Sequence, residues 1–461
     1  MYLFCDVSLQ GFIFMLNPWK EIARLKRIIE EQNKIIADLS ARLARYENPK
    51  NSRNSSIPPS HDYTRQPRTK SLRESSGKKP GGQPGHEGTT LQMTDKPDQT
   101  IQYIPQYCTC CGHDLTQIPA TMVESRQQIE LPPIDPIYIE HQVFQKICSC
   151  GKTVIASFPE GVTSGISYGA SVVNLIAYLN VRHFLPFDRL TELCRTVFHL
   201  PMGGGTLVEM ISRAAAKALP AYELIREKVK TSKTNGGDET GMKINGQKGW
   251  FWTLQGKAFT FIIASLNRGV QTLYDHFPNG FAFSVLVHDC WKCYFKVTAL
   301  AHQICLAHLL REFNHVYECY KLKWATDFKQ LLVETIAFKK TLLPEDYHKT
   351  LSQRTKFEER LTNLLQETID SKYSIAVSLQ KRLLKYRQHI LTFLYYYDVP
   401  PDNNASERAI RNVKVKQKIS GQFRSVTGAE NFAILRSVID TAIKNNLNPL
   451  HSLSQIYTLS L

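Results

Sequence analysis

No stretch of the 461-residue chain approaches the ~20 consecutive apolar residues of a transmembrane helix, so no membrane span is expected. No secretory leader is expected either. Residues 1–16 are apolar but have no basic start and carry Asp6, a poor signal peptide. Met15 is an alternative start, with residues 1–14 as an extension and 1–17 preceding the first readable element. Acidic residues are in short supply: 41 Asp and Glu face 57 Lys and Arg, a formal charge of +16. Such a balance points to a polyanionic partner, nucleic acid or an anionic membrane surface. Without a leader, eleven cysteines argue for thiols and metal sites in the cytoplasm, not for a disulfide framework. At 43% apolar residues the chain can build cores, and its length suggests three or four domains.

Residues 18–47 read as one helix. Ile22, Ile29, Ile36 and Leu43 fall at one heptad position, and Leu25, Gln32, Leu39 and Tyr46 at the other. That is a short coiled-coil seam with Gln32 as its polar interruption, expected to join copies of the chain. Residues 48–100 are rich in Asn, Ser, Pro, Gly and Lys and read as a flexible basic linker. Residues 101–160 alternate β-like runs with cysteine pairs. Residues 161–232 read as helical, and the stretches 187–198 and 206–219, joined by HLPMGGG, have the spacing of a helix-turn-helix. From 238 to 290 the runs KGWFWTLQG, AFTFIIASL and FSVLVHD read as strands. Residues 302–397 turn helical, and two helices are expected between 402 and 457.

Four constellations carry chemistry. Cys108-Thr-Cys-Cys111-Gly and Cys148-Ser-Cys150-Gly can supply four thiolates to a closed, structural zinc site. Cys110 can replace Cys108, and the 36 residues between the pairs call for a small β domain. Three carboxylates form the second set: Asp238 in GGDETG, Asp289 at the end of FSVLVHD, and Glu407 in PPDNNASERAIR. Carboxylates at a strand tip and on a packed helix suit a two-metal Mg²⁺ site, although spacing alone does not connect them. Arg408, Arg411, Lys414, Lys416, Lys418 and Arg424 form a basic run beside Glu407, fit to neutralise phosphates. The fourth is His302-Gln-Ile-Cys305-Leu-Ala-His308, where Cys305 and His308 would share a helix face, in a structural role ahead of a ligand role.

Taken in order, the zipper-like helix, NSSIPPS with KKPGGQPGHEG, the two cysteine pairs, DETG with GWFWT, HDCWKCYF, HQICLAHLLREF and VPPDNNASERAIRNVKVKQKISGQFRS resemble the insertion-sequence-66 family of bacterial transposases. The resemblance implies an α+β multidomain chain whose RNase H-like core (233–300 and 400–430) is interrupted by a helical insertion (301–399). A C-terminal helical segment (431–461) follows. It implies a DDE triad on Asp238, Asp289 and Glu407, Mg²⁺ or Mn²⁺ for catalysis, and structural Zn²⁺ on Cys108, Cys111, Cys148 and Cys150. The implied partners are double-stranded DNA, at element ends and target, and accessory proteins encoded alongside, on the nucleoid. The implied activity is DNA cleavage and strand transfer. The alternatives are a nuclease on the same core that never joins strands, or a decayed, non-enzymatic zinc-containing DNA binder. One departure stands out: KTNGG, ahead of Asp238, is poor in β-forming residues where an apolar strand is expected.

Overall fold

The computed structural model describes residues 18–47, 51 and 91–458. The expected extension 1–17 and nearly all of the linker up to residue 90 lie outside them. The heptad repeat forms one helix, α1 (Pro18–Glu47). Its seam faces solvent, with Ile22, Leu25, Ile29, Ile36, Leu39 and Leu43 all exposed.

The described residues form two compact units, and the division runs through the expected 101–160 module. One unit holds residues 91–137 with 197–199, and the other holds the rest. In the first, the Cys108 N–H donates to the His113 carbonyl at 2.8 Å, and the Gly112 N–H to the Cys108 carbonyl at 2.9 Å. Gly112 takes φ +74°, a conformation cheap only without a Cβ. In the second, strands β1 (Gln145–Ile147) and β2 (Thr153–Ile155) form an antiparallel hairpin. Its loop makes a similar turn, one residue shorter, with Cys148 N–H bonded to the Lys152 carbonyl and Gly151 at φ +81°. The small β domain expected between the pairs is absent: no strand lies between residues 116 and 144. Pro119, Pro132, Pro133 and Pro136 in that stretch lack the N–H a ladder needs.

Helices α2 (Ala170–Val181), α3 (Phe187–Thr196) and α4 (Gly204–Lys230) follow. The second stretch of the expected helix-turn-helix runs past Leu219, through Pro220, to Lys230. An internal proline costs about 3 kcal/mol. An unbroken buried stripe from Leu207 through Met210, Ala214, Ala218, Tyr222 and Ile225 to Val229 outweighs it.

The central sheet comprises β3 (Thr234–Ile244), β4 (Gln247–Gln255), β5 (Thr260–Ser265), β6 (Phe281–His288) and β7 (Ala299–Ile304), with α5 (Gln271–His276) before β6. Their order is β5-β4-β3-β6-β7. The first three are antiparallel neighbours, and β6 and β7 run parallel to β3. KTNGG, which shows little strand propensity, therefore enters the middle strand. Its glycines are what the packing demands. A Cβ at Gly236 would lie 2.4 Å from both Asn403 Oδ1 and Ser406 Oγ, and one at Gly237 2.8 Å from the Tyr294 ring. Gly236→Ala should therefore lower stability by about 2 kcal/mol through overpacking, read as a drop in melting temperature. An unchanged melting temperature would show that Asn403 and Ser406 move aside without cost.

The helical region starts at Leu306, not at 302, because 299–304 forms the edge strand β7. That strand eluded the reading because its buried residues include His302 and Gln303, held by polar contacts instead of apolar alternation. Helices α6 (Leu306–Tyr320), α7 (Lys323–Lys339), α8 (Ser352–Gln366) and α9 (Ser374–Lys385) share one apolar core with Val285, Val287 and Ile304 of the sheet. The C-terminal stretch holds three helices, not two: α10 (Asn404–Ser420), α11 (Val426–Lys444) and α12 (Pro449–Thr458). Asn445-Asn446-Leu447-Asn448 interrupts the last two, with Asn446 at φ +56°.

Candidate active site at the sheet centre

Three elements meet where β3 and β6 run side by side. Alternation along β3 puts Asp238 on the face of Gly236, toward α10, and Glu239 on the opposite face. Asp289 directly follows β6, the parallel neighbour of β3. The start of α10 is stitched over this point by three hydrogen bonds: Asn403 Nδ2 to the Gly237 carbonyl at 2.7 Å, Leu306 N–H to the Pro401 carbonyl at 2.9 Å, and Asn403 N–H to Cys305 Sγ at 3.2 Å. Glu407 sits in the first turn of that helix.

Each carboxylate has its own hold. Asp238 Oδ1 accepts the Glu239 N–H at 2.9 Å, and Asp289 Oδ1 accepts the Trp291 N–H at 3.0 Å. Glu407 lies 3.8 Å from His308 Nε2, 3.7 Å from Arg311 and 3.5 Å from Arg411. These are charge contacts rather than good hydrogen bonds, and its buried Oε1 has no hydrogen-bond partner. Among the described residues, no three metal-capable side chains are gathered closely enough to hold an ion as they stand.

Asp238 nevertheless feels the charge of the other two. Burial raises the Asp238 carboxyl well above its usual range, and the charges of Glu239, Asp289 and Glu407 raise it further. Burial, then Glu239, lifts Asp289 to about 6. Like charges in a poorly solvated place oppose ionisation, and carboxylates perturbed in this way are candidates for a functional site.

Glu239 is a fourth carboxylate that the sequence reading missed. It binds Arg268 at 2.8 Å and accepts the Tyr294 hydroxyl at 2.8 Å. It stands inside DETG, but the motif does not reveal its contacts, because its partners come from 29 and 55 residues away. Cys305 and His308 do not form a joint site. Cys305 ends the strand segment and caps α6, its thiol accepting from Asn403, while His308 faces Glu407. His302, on β7, instead meets His288, Nδ1 to Nε2 at 3.1 Å.

The basic run divides. Arg408, Arg411, Lys418 and Arg424 are exposed. Lys414 is half-buried, its ammonium lowered by burial and supported by Asp238. Lys416 is a correction: it is buried, and burial lowers it to about 8. Residue 416 falls on the inward stripe of α10 with Ile410 and Val413.

At the cysteines, backbone N–H groups of Cys111 and Cys110 lower Cys108, and that of Cys150 lowers Cys148. Both turns thus favour thiolates, as metal-binding thiols require. No helix among the described residues is long and apolar enough to cross a membrane.

Comparison with known families agrees with this layout. Residues 19–92 match a family of unknown function (DUF6444), and residues 105–151 match the zinc-finger binding domain of transposase IS66. No curated protein gave a match. The transposase IS66 family model matches residues 165–431, more than half of the chain and the whole of the sheet with its three acidic elements, and the chain therefore belongs to that family.

Proposed function

We propose that the chain is a DDE-type DNA transposase with an RNase H-like core, in which Asp238, Asp289 and Glu407 hold Mg²⁺ or Mn²⁺. The observation that carries this reading is the delivery of three carboxylates by a central strand, its parallel neighbour and the helix laid across them, with the charges of Asp289 and Glu407 both bearing on Asp238. The sheet order, three antiparallel strands continued by two parallel ones, supports the core assignment. The donor set fits hard cations: all oxygen, under-solvated, with one buried Glu407 oxygen lacking a hydrogen-bond partner.

Bound ions would activate a water or 3′-hydroxyl and neutralise charge at the phosphorus. The protein's own contribution is positioning. The Glu239 and Trp291 N–H groups fix Asp238 and Asp289, while the loose contacts of Glu407 leave it free to turn toward them. Exposed Arg408, Arg411, Lys418 and Arg424, with Lys414 nearer the acids, line the approach for DNA phosphates. Cleavage at the element end and attack of the freed 3′-hydroxyl on target DNA are both phosphoryl transfers at this one site.

The zinc-finger match over residues 105–151 supports structural Zn²⁺ on cysteine thiolates in a module that binds element ends. The exposed α1 seam joins two copies, and α3 and α4 add DNA contacts near the ends.

A non-catalytic DNA-binding reading draws on one observation, the turning of Glu407 toward His308, Arg311 and Arg411. A joining assay separates it, and also separates a simple nuclease. With pre-cut ends bearing a 3′-hydroxyl and Mg²⁺, the protein should join them to target DNA. Cutting without joining would leave a nuclease, and neither reaction a binder.

A further inference from the structure

Arg268 does more than neutralise Glu239. It follows β5, in the turn Asn267-Arg268-Gly269, and its guanidinium lies between two indoles, 4.5 Å from Trp250 and 4.4 Å from Trp291. Its edge is spent on Glu239, through Nη2 at 2.8 Å and Nε at 3.3 Å to one oxygen. The other oxygen of Glu239 takes the Tyr294 hydroxyl at 2.8 Å. Trp291 also leans on Trp252, with centroids 5.8 Å apart. Its own backbone N–H makes the 3.0 Å bond to Asp289 Oδ1. The stack therefore grips the segment that orients Asp289. Lys248 lies 5.0 Å from the Trp250 ring. With Arg268 between the indoles and Trp252 against Trp291, the stack is filled from within the chain.

We propose that Arg268 is a positioning residue for the metal site: its faces clamp Trp291 between sheet and loop, its edge holds Glu239, and through Trp291 it sets the direction of the Asp289 carboxylate. This rests on the reading of Asp289 as a metal ligand. A planar, delocalised cation is required, because only a guanidinium stacks on two rings while hydrogen-bonding at its edge. Partners that orient ligands in this way typically carry 10–100-fold of metal affinity.

Variants that keep the cation separate positioning from plain charge. They should leave metal binding unchanged if charge alone matters, whereas losing the clamp should weaken it. Mn²⁺ binding to the full chain, read from the electron-spin signal of free Mn²⁺, needs no catalysis. Arg268→Lys keeps the charge and loses the stack. Trp250→Leu opens one jaw and changes no charge. We expect both to bind Mn²⁺ about 10-fold more weakly, with melting temperatures near that of the unaltered protein. Unchanged or tighter binding in either folded variant overturns the clamp. Asp289→Asn, run alongside, tests the underlying reading: if it binds Mn²⁺ as well as the unaltered protein does, the metal site itself is misassigned. If it binds poorly while Arg268→Lys binds normally, only the clamp fails.

Discussion

Asp238→Asn should reduce strand transfer by at least about 1,000-fold while leaving binding to element ends within about twofold. The magnitude follows from what the side chain does. A two-metal phosphoryl transfer draws most of its acceleration from charge and alignment at the scissile phosphate, and a barrier raised by ~4 kcal/mol slows the reaction about 1,000-fold. Asp238 stands at the centre: it is the carboxylate on which the charges of Glu239, Asp289 and Glu407 all bear. An amide at this position keeps the size and the acceptor for the Glu239 N–H, so the strand should stay in place. End binding is assigned to the cysteine turns and the exposed basic side chains, none of which touches Asp238. Gel-shift and joining assays on the same preparation measure the two effects together. Normal joining by the variant would remove Asp238 from the chemistry and with it the triad. A parallel collapse of binding would show instead that the change disturbs the fold.

What could be read beforehand divides along physical lines. Strands β4 and β6 were legible because their aromatic and branched residues are themselves the buried surface. The middle strand was not, since Gly236 and Gly237 serve a helix that arrives from 166 residues further on, through Asn403, and local propensity cannot register that demand. Edge strand β7 hid for a related reason, its interior positions being His302 and Gln303. The triad candidates Asp238, Asp289 and Glu407 were visible as residues, but only the resemblance linked them, whereas Glu239, though inside DETG, and Arg268 gave no sign of their contacts. Charge pattern alone also overstated the basic run: helical periodicity turns Lys416 inward while its neighbours stay in solvent. In each case the missing information was tertiary, a partner whose identity depends on the fold.

Metal-free protein carrying Asp289→Asn should be more stable than the unaltered chain at pH 8, by up to about 3 kcal/mol, and should lose that advantage near pH 4. Folding raises the Asp289 carboxyl from the ordinary 3.8 to about 6, so the folded state holds the proton more tightly than the unfolded chain. The stability linked to that proton is complete below pH ~4, falls as the pH rises through ~6, and is gone above it. Asparagine never ionises and so escapes the penalty. Glu239, the charge that bears most on Asp289 after burial, remains in the variant, which makes the full figure an upper bound. A divalent cation should reverse the ranking, because it stabilises whichever form binds it: Mg²⁺ should raise the melting temperature of the unaltered protein and leave that of Asp289→Asn nearly fixed. Thermal melts from pH 4 to 8, with and without Mg²⁺, give all four comparisons. Should the variant melt lower than the unaltered protein at pH 8 without metal, the acidic cluster would be held together by its own contacts. The penalty of ionising the buried Asp289 carboxyl would then be absent.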